Sequence, residues 1–429
     1  MAEPRPIEVV QDPFSLDSLR YDVPVFDEAR NKHIDLVPST VHEFMDKLSE
    51  VPEDDKLLVI GIGTGGTISM SPKGPNNSLV PDLDFDSIIK NTDPRLADEF
   101  KIVSLDAFAT DSSQLDIDDI GDMAVTMGYI WQNMPEHLKN RFAGYLVVHG
   151  TDTMPKSGAH LDMMLGPDVP FNFVHTGAQK SINEKINDAQ RNVKESLYLL
   201  KMLHNNKKAE GLTVMGGLGL LTTGITKVSD HAAQAMWTNL HKPAVRFDEL
   251  PDPDKHVLPA WVRDAPLMTE GFQPLIYRGP NRIGELRAEM QEDPEAIEAA
   301  IKRSGRAAMM LVTYGANTYD VSAIATIGKL TRGKKSTIPV FAISPVNADP
   351  KLDIYASSKA MKEALVQPVH MTPEALRAKA MREIAEFDTV ETNRSMSPDR
   401  RSGYIKAKVV KNLVGEVPNA QNRRDPYTS

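Results

Sequence analysis

The sequence of 429 residues contains no cysteine, few aromatic residues (6%) and no long apolar run. Without cysteine the chain can form no disulfide, no thiolate nucleophile and no cysteine metal site. No stretch approaches the ~20 apolar residues of a membrane-spanning helix, and the first residues lack the basic start and apolar run of a signal peptide. We therefore predict a cytoplasmic protein without a membrane partner.

Basic residues are outnumbered by acidic ones: 49 Lys and Arg against 59 Asp and Glu give a net charge of −10. Proteins that bind the phosphate backbone of nucleic acids need clustered positive charge. The composition thus disfavours a general nucleic-acid-binding protein. The 11 histidines form no H-E-x-x-H pair, and we predict neither a metal nor a cofactor.

Short apolar runs alternate with longer amphipathic segments from about Lys56 onward. Runs such as KLLVIGI, AGYLVVHG and FNFVHTGA are typical of buried strands, and segments such as INDAQRNVKESLYLLKML have helical periodicity. This alternation predicts an α/β fold. We expect a larger N-terminal domain with a mostly parallel sheet flanked by helices, plus a smaller C-terminal α/β domain.

The domain boundaries are predicted from changes in composition. Residues 248–271 are dense in proline and aspartate, which is typical of a linker. The predicted organisation is an N-terminal extension (1–55), the larger domain (56–247), the linker (248–271), the smaller α/β domain (272–387) and a polar basic tail (388–429).

A glycine-rich turn, GIGTGGTISM, follows the first strand of this pattern, where ligands bind in open α/β sheets. A phosphate-binding loop would continue with Lys and then Ser or Thr, whereas Thr-Ile-Ser-Met follows Gly66. A dinucleotide-binding turn would open a helix, and the sequence after this turn has the composition of a loop. Two interpretations remain. The turn is either structural, or it is a flexible turn in which Thr67 attacks a carbonyl and backbone N–H groups bind the oxyanion.

A second polar stretch, HGTDTM, again follows an apolar run. Thr151 and Asp152 in this stretch have two interpretations of their own. They cap the helix that follows, which is the common fate of such residues there, or they belong to a site.

Four motifs resemble those of the L-asparaginase family, the bacterial-type amidohydrolases that use a threonine nucleophile. They are TGGT, DSSQL, HGTDTM and TGAQKS, in the family's order and strand context. The similarity runs from about Lys56 to about Glu386 and is nearest to the cytoplasmic type I members. It implies an enzyme that releases L-aspartate and ammonia from L-asparagine through a threonine acyl-enzyme, with L-glutamine as a second possible substrate.

The resemblance also implies roles for individual residues. Thr67 is similar to the family's attacking threonine, and Thr151, Asp152 and Lys227 are similar to the second threonine with its aspartate and lysine. A buried lysine with a lowered pKa, acting through a threonine, can serve as the base. Asp152 also pairs with the substrate's ammonium group. The residues similar to substrate-binding positions are Gly66, Ser113, Gln114, Gly150, Ala178, Gln179 and Asn317.

One position departs from the family pattern. Members place a tyrosine in the mobile loop after TGGT, and here Leu79 stands at that place, which raises the question of how Thr67 is activated. The family further implies a homodimer or homotetramer, in which Asn317 resembles a residue that lines the site of a neighbouring subunit.

Two alternatives stay open. The first is the ammonia-generating subunit of an archaeal-type Glu-tRNA amidotransferase, which adds an N-terminal barrel of strands, whereas residues 1–55 show little strand alternation. The second is a weakly catalytic, amino-acid-binding regulatory homologue, suggested by Leu79 and by the extra termini. Ammonia release from asparagine compared with glutamine separates these hypotheses.

Overall fold

A computed structural model describes residues 5–71, 80–81, 85–250, 255–266, 272–288, 293, 295, 297, 307–315, 317–331, 338–346, 352, 355–419 and 421–423. The strands in these ranges are β1 (Glu8–Val9), β2 (Val25–Asp27), β3 (Lys32–Ile34), β4 (Leu57–Gly63), β5 (Met70–Ser71), β6 (Val80–Pro81), β7 (Phe100–Asp106), β8 (Phe108–Ala109), β9 (Phe142–Val148), β10 (Phe173–Thr176), β11 (Gly211–Met215), β12 (Leu218–Leu221), β13 (Thr226–Lys227), β14 (Met236–Trp237), β15 (Val245–Arg246), β16 (Tyr277–Arg278), β17 (Ile283–Arg287), β18 (Ala308–Val312), β19 (Val340–Ile343) and β20 (Gln367–Val369). The α-helices there are α1 (Pro38–Ser49), α2 (Phe85–Lys90), α3 (Leu96–Glu99), α4 (Ile117–Asn133), α5 (Glu136–Lys139), α6 (Met154–Leu165), α7 (Ala189–Asn205), α8 (Val321–Thr331), α9 (Ala356–Glu363), α10 (Pro373–Thr389) and α11 (Pro398–Val409).

The chain folds into two compact units. The larger unit comprises Val10–Thr238 and Lys242–Ile276, and the smaller unit comprises Met1–Val9, Asn239–His241 and Tyr277–Ser429. Most of the predicted N-terminal extension therefore belongs to the larger unit. The predicted domain boundaries themselves stay a prediction.

Seven strands form the main sheet of the larger unit, in the order β15-β12-β11-β10-β9-β4-β7. The strands from β11 to β7 are parallel, and β12 and β15 are antiparallel at one edge. Strands buried on both faces of a parallel sheet need continuous apolar runs, which LLVIGIG and FAGYLVV supply. Helix α7 buries Leu197 and Leu200 in the same core as Leu146 and Val174. The parallel strands place the loops after β4, β9 and β10 at one edge of the sheet.

The smaller unit has its own sheet of four parallel strands, in the order β17-β18-β19-β20. Its core includes Leu311 from β18, Ile324 from α8 and Met361 from α9. In the segment predicted as a tail, α11 follows α10, and the buried Glu416 pairs with the buried Lys379. The two sheets confirm the predicted fold class, a larger domain with a mostly parallel sheet and a smaller α/β domain.

Residues 25–49, in which the sequence shows little strand alternation, form two strands and a helix. Strand β3 lies between β2 and β8 in an antiparallel sheet of three strands. Helix α1 begins with Pro38 at its first position, where the missing N–H costs nothing, and buries Val41, Phe44 and Leu48 on one face. The two strands, with three residues each, are too short to give a clear pattern in the sequence.

Candidate active site

Three loops at the carboxyl edge of the main sheet are in direct backbone contact. Gly66, in the loop after β4, has a φ of +88°, and a Cβ atom there would lie 2.4 Å from the Cα atom of Gly150. A Cβ atom at Gly150, after β9, would lie 2.5 Å from the Oγ atom of Ser112, after β8. Neither position has room for a side chain, so glycine at both allows the three loops to meet.

Hydrogen bonds also join these loops. The Gly66 N–H donates to the carbonyl oxygen of Thr110 over 3.1 Å, and the Thr153 hydroxyl donates to the carbonyl oxygen of Ser112 over 2.8 Å. The loop after β10 reaches the same place, because Ile182 N–H donates to the carbonyl oxygen of Ile68 over 3.5 Å. The motifs TGGT, DSSQL, HGTDTM and TGAQKS, separated in the sequence, are thus neighbours in the structure.

Thr67 opens a short 3-10 turn, Thr67–Ser69, directly after two glycines with positive φ. Ile68 is fully buried and anchors the turn, while Thr67 is half-buried. A hydroxyl in this position lies at the boundary between the core and solvent, where a ligand can reach it. Leu79, which replaces the family's loop tyrosine, lies outside the described residues.

Ser113 and Gln114 lie in a second 3-10 turn, Ser112–Gln114, whose first N–H groups need a cap. Asp111 provides it, since its carboxylate accepts from Ser113 N–H over 2.8 Å. Ser113 is exposed, and its hydroxyl accepts a hydrogen bond from Gln114 Nε2 over 3.1 Å. The turn therefore presents a hydroxyl and an amide side by side at the edge of the sheet.

Thr151, Asp152 and Lys227 form one hydrogen-bonded group. Lys227 Nζ donates to Thr151 Oγ1 over 3.2 Å and forms ion pairs with Asp152 and, at 2.6 Å, with Asp230. Thr151 is buried and Asp152 is largely exposed. Helix α6 has Thr153 at its N-cap without a side-chain cap bond, so Asp152 pairs with a lysine rather than capping this helix.

The pKa of Lys227 is raised above its ordinary value, whereas a lysine that serves as a base needs a lowered pKa. Burial lowers this pKa, but the hydrogen bonds and charges of Asp152 and Asp230 outweigh burial and raise it. The resemblance points to Asp152 but not to Asp230, the second carboxylate that raises the pKa of Lys227. Its sequence signal is an acidic residue three positions after the lysine, in KVSD.

Ala178 and Gln179 follow β10 in a turn held by the N-terminal end of α7. The carboxylate of Asp188 accepts from the Gln179 N–H at 3.0 and 3.1 Å. Ala178 is buried, and Gln179 Nε2 is buried without a hydrogen-bond partner among the described residues. The Gln179 amide is a donor that a bound ligand can satisfy.

Two neutral histidines lie beneath the HGTDTM loop. Burial lowers the pKa of His149 to about 4 and that of His175 to about 3, with the neighbouring His149 as a smaller contribution to the second. The two rings are 6.1 Å apart, and His149 Nδ1 lies 2.7 Å from the carbonyl oxygen of Gly150. His149 therefore packs at the end of β9 as a neutral ring, and a pKa of about 4 makes it a weak base.

Asn317 lies in the smaller unit, in the loop directly after β18. It is buried, has a φ of 53° and accepts a hydrogen bond from the Thr313 hydroxyl over 3.2 Å. Asparagine tolerates this left-handed conformation better than most residues. Its role toward a substrate stays a prediction.

A family model described as Asparaginase, N-terminal matches residues 57–251, the range that holds these four loops and Lys227. Residues 57–251 are an asparaginase-family domain. This match places the protein among the amidohydrolases, as the four motifs predicted. No curated protein sequence matches the chain.

Three solved structures resemble this chain in fold. The thermostable L-asparaginase from Thermococcus kodakarensis has a TM-score of 0.63 at 19% identity, covering 85% of this chain and 100% of its own. L-asparaginase I from Vibrio cholerae has a TM-score of 0.62 at 21% identity, with the same coverage of 85% and 100%. The probable cytoplasmic L-asparaginase from Campylobacter jejuni has a TM-score of 0.58 at 17% identity, covering 82% and 100%.

The described residues contain neither a candidate membrane-spanning helix nor a candidate metal-binding cluster. None of their helices combines the length and the apolar character needed to cross a membrane. No group of three or more His, Asp or Glu side chains in these ranges is arranged to hold a metal ion.

Proposed function

We propose that this asparaginase-family protein hydrolyses L-asparagine to L-aspartate and ammonia through an acyl-enzyme on Thr67. The observation that carries the proposal is the hydrogen-bonded group of Thr151, Asp152 and Lys227. The loop of Thr151 and Asp152 also contains Gly150, which contacts Gly66, the residue before Thr67. The three similar structures, each named as an L-asparaginase, support the choice of substrate.

In the proposed reaction, the Thr67 hydroxyl oxygen attacks the side-chain amide carbon of asparagine. The substrate's ammonium group takes Asp152 from Lys227 and so lowers the pKa of the lysine, which then accepts the Thr67 proton through Thr151 in its neutral form. The proton passes on to the leaving nitrogen, so that the C–N bond breaks and ammonia departs. Water next cleaves the ester, returning the Thr67 hydroxyl and releasing L-aspartate. Because Gly66 N–H is already bonded to Thr110, the contribution of Gly66 is close approach of the backbone rather than donation to the oxyanion.

Charges and hydroxyls at the site match the two ends of an amino acid. The Ser113 hydroxyl and the Gln114 amide are donors for the α-carboxylate, and the exposed carboxylate of Asp152 is an acceptor for the ammonium group. Gln179 adds an unpaired donor. In the free protein Lys227 pairs with Asp152, so a bound ammonium group competes for the same carboxylate.

The setting of the reaction is also a proposal. We propose a cytoplasmic homodimer or homotetramer that acts on a small molecule, with no nucleic acid and no cofactor in the reaction. The probable cytoplasmic asparaginase among the similar structures supports the location. Asn317, in the smaller unit, is the residue expected to line a neighbouring subunit's site.

Ammonia release from L-asparagine and from L-glutamine by the purified protein tests the function. We expect turnover of asparagine to exceed that of glutamine. The Thr67→Ala variant should lose on the order of 10³-fold or more in rate, because the nucleophile is gone, with little change in unfolding temperature. Activity largely retained by Thr67→Ala would reject Thr67 as the nucleophile.

The same assay separates the alternatives. Release of ammonia from glutamine only together with a partner would favour the amidotransferase subunit. Binding of an amino acid in calorimetry with no ammonia release from either amide would favour a regulatory homologue.

A further inference from the structure

The N-terminal brace, defined here as residues 12–35, packs against the segment that leads into the DSSQL motif. His33 and Ile34 of β3 pair with Ala109 and Phe108 of β8, directly before Thr110. The Asp35 N–H extends this pairing by donating to the carbonyl oxygen of Ala107 over 3.0 Å. The strand that delivers the substrate-binding turn to the site is therefore held by the first part of the chain.

A buried ion network joins the brace to the other end of this turn, where α4 begins. Lys32 Nζ donates to both carboxylate oxygens of Asp119, at 2.8 and 2.9 Å, and neither side chain is more than 1% exposed. Arg20 Nε donates to Asp122 over 2.6 Å, and Arg20 Nη2 donates to Asp119 over 2.5 Å. Arg30 pairs with Asp116 at 2.5 Å.

Two of these carboxylates also cap α4. Asp116 accepts from the Asp119 N–H over 3.0 Å, and Asp119 accepts from the Asp116 N–H over 2.7 Å, forming a capping box. Asp116 follows Leu115, the last residue of the DSSQL motif. The brace thus fixes the residue at which the substrate-binding turn ends and the helix starts.

The charges of the brace do more than neutralise the carboxylates. Although burial raises the pKa of Asp116, the Asp119 N–H, Arg20, Arg30 and Lys32 lower it to about 2. The cap therefore stays ionised at all physiological pH values. Burial acts to lower the pKa of Arg20, and the charges of Asp122 and Asp119 raise it above its ordinary value.

A third connection runs from the brace to the loop of Thr67. The buried Thr110 donates its hydroxyl to the carbonyl oxygen of Asn31 over 3.4 Å, and its own carbonyl oxygen accepts from Gly66 N–H over 3.1 Å. One residue therefore contacts the brace on one side and the neighbour of Thr67 on the other.

We propose that the N-terminal brace is a positioning element of the active site, and that Arg20 and Lys32 are positioning residues that hold the Ser113–Gln114 turn for an amino-acid substrate. This proposal rests on the proposed function for the identity of the ligand. The brace contacts no substrate itself; it fixes both ends of residues 110–115, between β8 and α4. A turn held at both ends binds its ligand without first being ordered.

The test compares Arg20→Met with a matched control, Arg141→Gln, in the full chain. Arg141 also pairs with a residue of the predicted N-terminal extension, Asp54, but it lies just before β9, at the amino end of the strands. The measurements are the dissociation constant for L-aspartate by calorimetry, KM and kcat for L-asparagine, and amide hydrogen exchange in residues 108–116.

For Arg20→Met we expect the dissociation constant for L-aspartate and KM to rise about 10-fold, more than kcat falls, with faster exchange in residues 108–116. Arg141→Gln should leave all of these at wild-type values. Arg30→Gln, which removes a more exposed partner of Asp116, should show a smaller change in the same direction, and it decides the question if Arg20→Met does not fold.

Two results would overturn the proposal: a folded Arg20→Met with wild-type binding and exchange, or an equal loss of binding in Arg141→Gln, which would reveal general destabilisation. Failure of the proposed function gives a different result, because the wild type would then neither bind L-aspartate nor release ammonia. Hydrogen exchange in residues 108–116 still tests the brace in that case.

Discussion

Two lysines of the larger unit, Lys32 and Lys227, are each held by aspartates, and they differ in exposure. The side chain of Lys32 is 1% exposed and that of its partner Asp119 is 0% exposed. The side chain of Lys227 is 16% exposed, and that of its partner Asp152 is 60% exposed. The first pair is sealed in the interior, and the second is open to solvent and to ligands.

The difference separates a structural ion pair from one that can exchange partners. A buried pair cannot open without leaving an uncompensated charge in the interior, so its geometry is fixed. An exposed pair is worth little energetically and can be replaced by water or by a ligand. Lys227 is therefore suited to a site in which an ammonium group takes over Asp152, and Lys32 is suited to holding that site in place.

The largest expected effect is on catalysis. Lys227→Met removes the group proposed to accept the proton, and ammonia release should fall about 10²–10⁴-fold. Because the ion pairs of Lys227 are exposed, the unfolding temperature should change little. Lys201→Met removes a lysine that pairs with Glu99 and serves as the matched control, with expected wild-type turnover. Wild-type turnover in Lys227→Met would remove the lysine from the mechanism.

The corresponding substitution at Lys32, Lys32→Met, should affect the stability of the fold. Lys32→Met leaves the buried carboxylate of Asp119 with Arg20 as its remaining cation, and we expect the free energy of unfolding to fall by about 3 kcal/mol in urea denaturation. Adding Asp119→Asn removes the buried carboxylate that has lost its lysine, while Arg20 keeps its pair with Asp122, so the double variant should be more stable than the single one. A double variant less stable than Lys32→Met would contradict this account of the network.

Besides the two kinds of lysine, His149 and His175 are a third kind of titratable group, because they are buried as neutral rings. His149 and His175 have pKa values of about 4 and about 3 in the folded protein, below the ordinary ~6.5. Between the ordinary pKa and the pKa in the folded protein, each histidine is protonated in the unfolded chain and neutral in the folded one. The free energy of unfolding therefore falls as pH falls, by about 1.4 kcal/mol per pH unit for each histidine. Above about pH 6.5 this contribution is constant.

Urea denaturation at pH 7, 6 and 5 measures the effect. We expect His175→Phe, which keeps a ring of similar size, to have a shallower dependence on pH than the wild type. An identical slope in both proteins would mean that His175 gains a proton without unfolding.

The smallest expected effect is at Asp230, which raises the pKa of Lys227 together with Asp152. Asp230→Asn should lower this pKa, so that Lys227 loses its proton at a lower pH and the acidic limb of the kcat/KM profile moves to lower pH. Glu249→Gln removes an exposed carboxylate of the same unit, near Arg246, and should leave the profile unchanged. A shift to higher pH in Asp230→Asn would contradict the role given to Lys227.

Local patterns were enough to predict the fold class and the neighbourhood of the site. Apolar runs such as LLVIGIG and FAGYLVV can hardly form anything but buried strands, and the carboxyl ends of parallel strands lie at one edge. The four motifs follow such runs in the sequence, and the structure brings their loops together, with Gly66 against Gly150. The roles of their residues toward a substrate stay a prediction.

The brace could not be predicted in the same way. Strands β2 and β3 have three residues each, too few for a period of two to be recognised, and their partner β8 lies far along the chain. The raised pKa of Lys227 was also hidden, since it depends on the orientation of Asp152 and Asp230 toward one nitrogen. Both features are set by contacts in space rather than by neighbours in sequence.

The pairing of Lys32 with Asp119 has a consequence for the order in which the protein is made. The two residues are 87 positions apart, which at ordinary translation speeds separates their synthesis by roughly 4–17 s. During that time the brace has left the ribosome without β8 or α4 to bind, and its lysine and arginines remain hydrated. The brace therefore reaches its final contacts only after residues 108–122 have been synthesised, and the Ser113–Gln114 turn is fixed at both ends only when this closure over a long sequence distance has taken place.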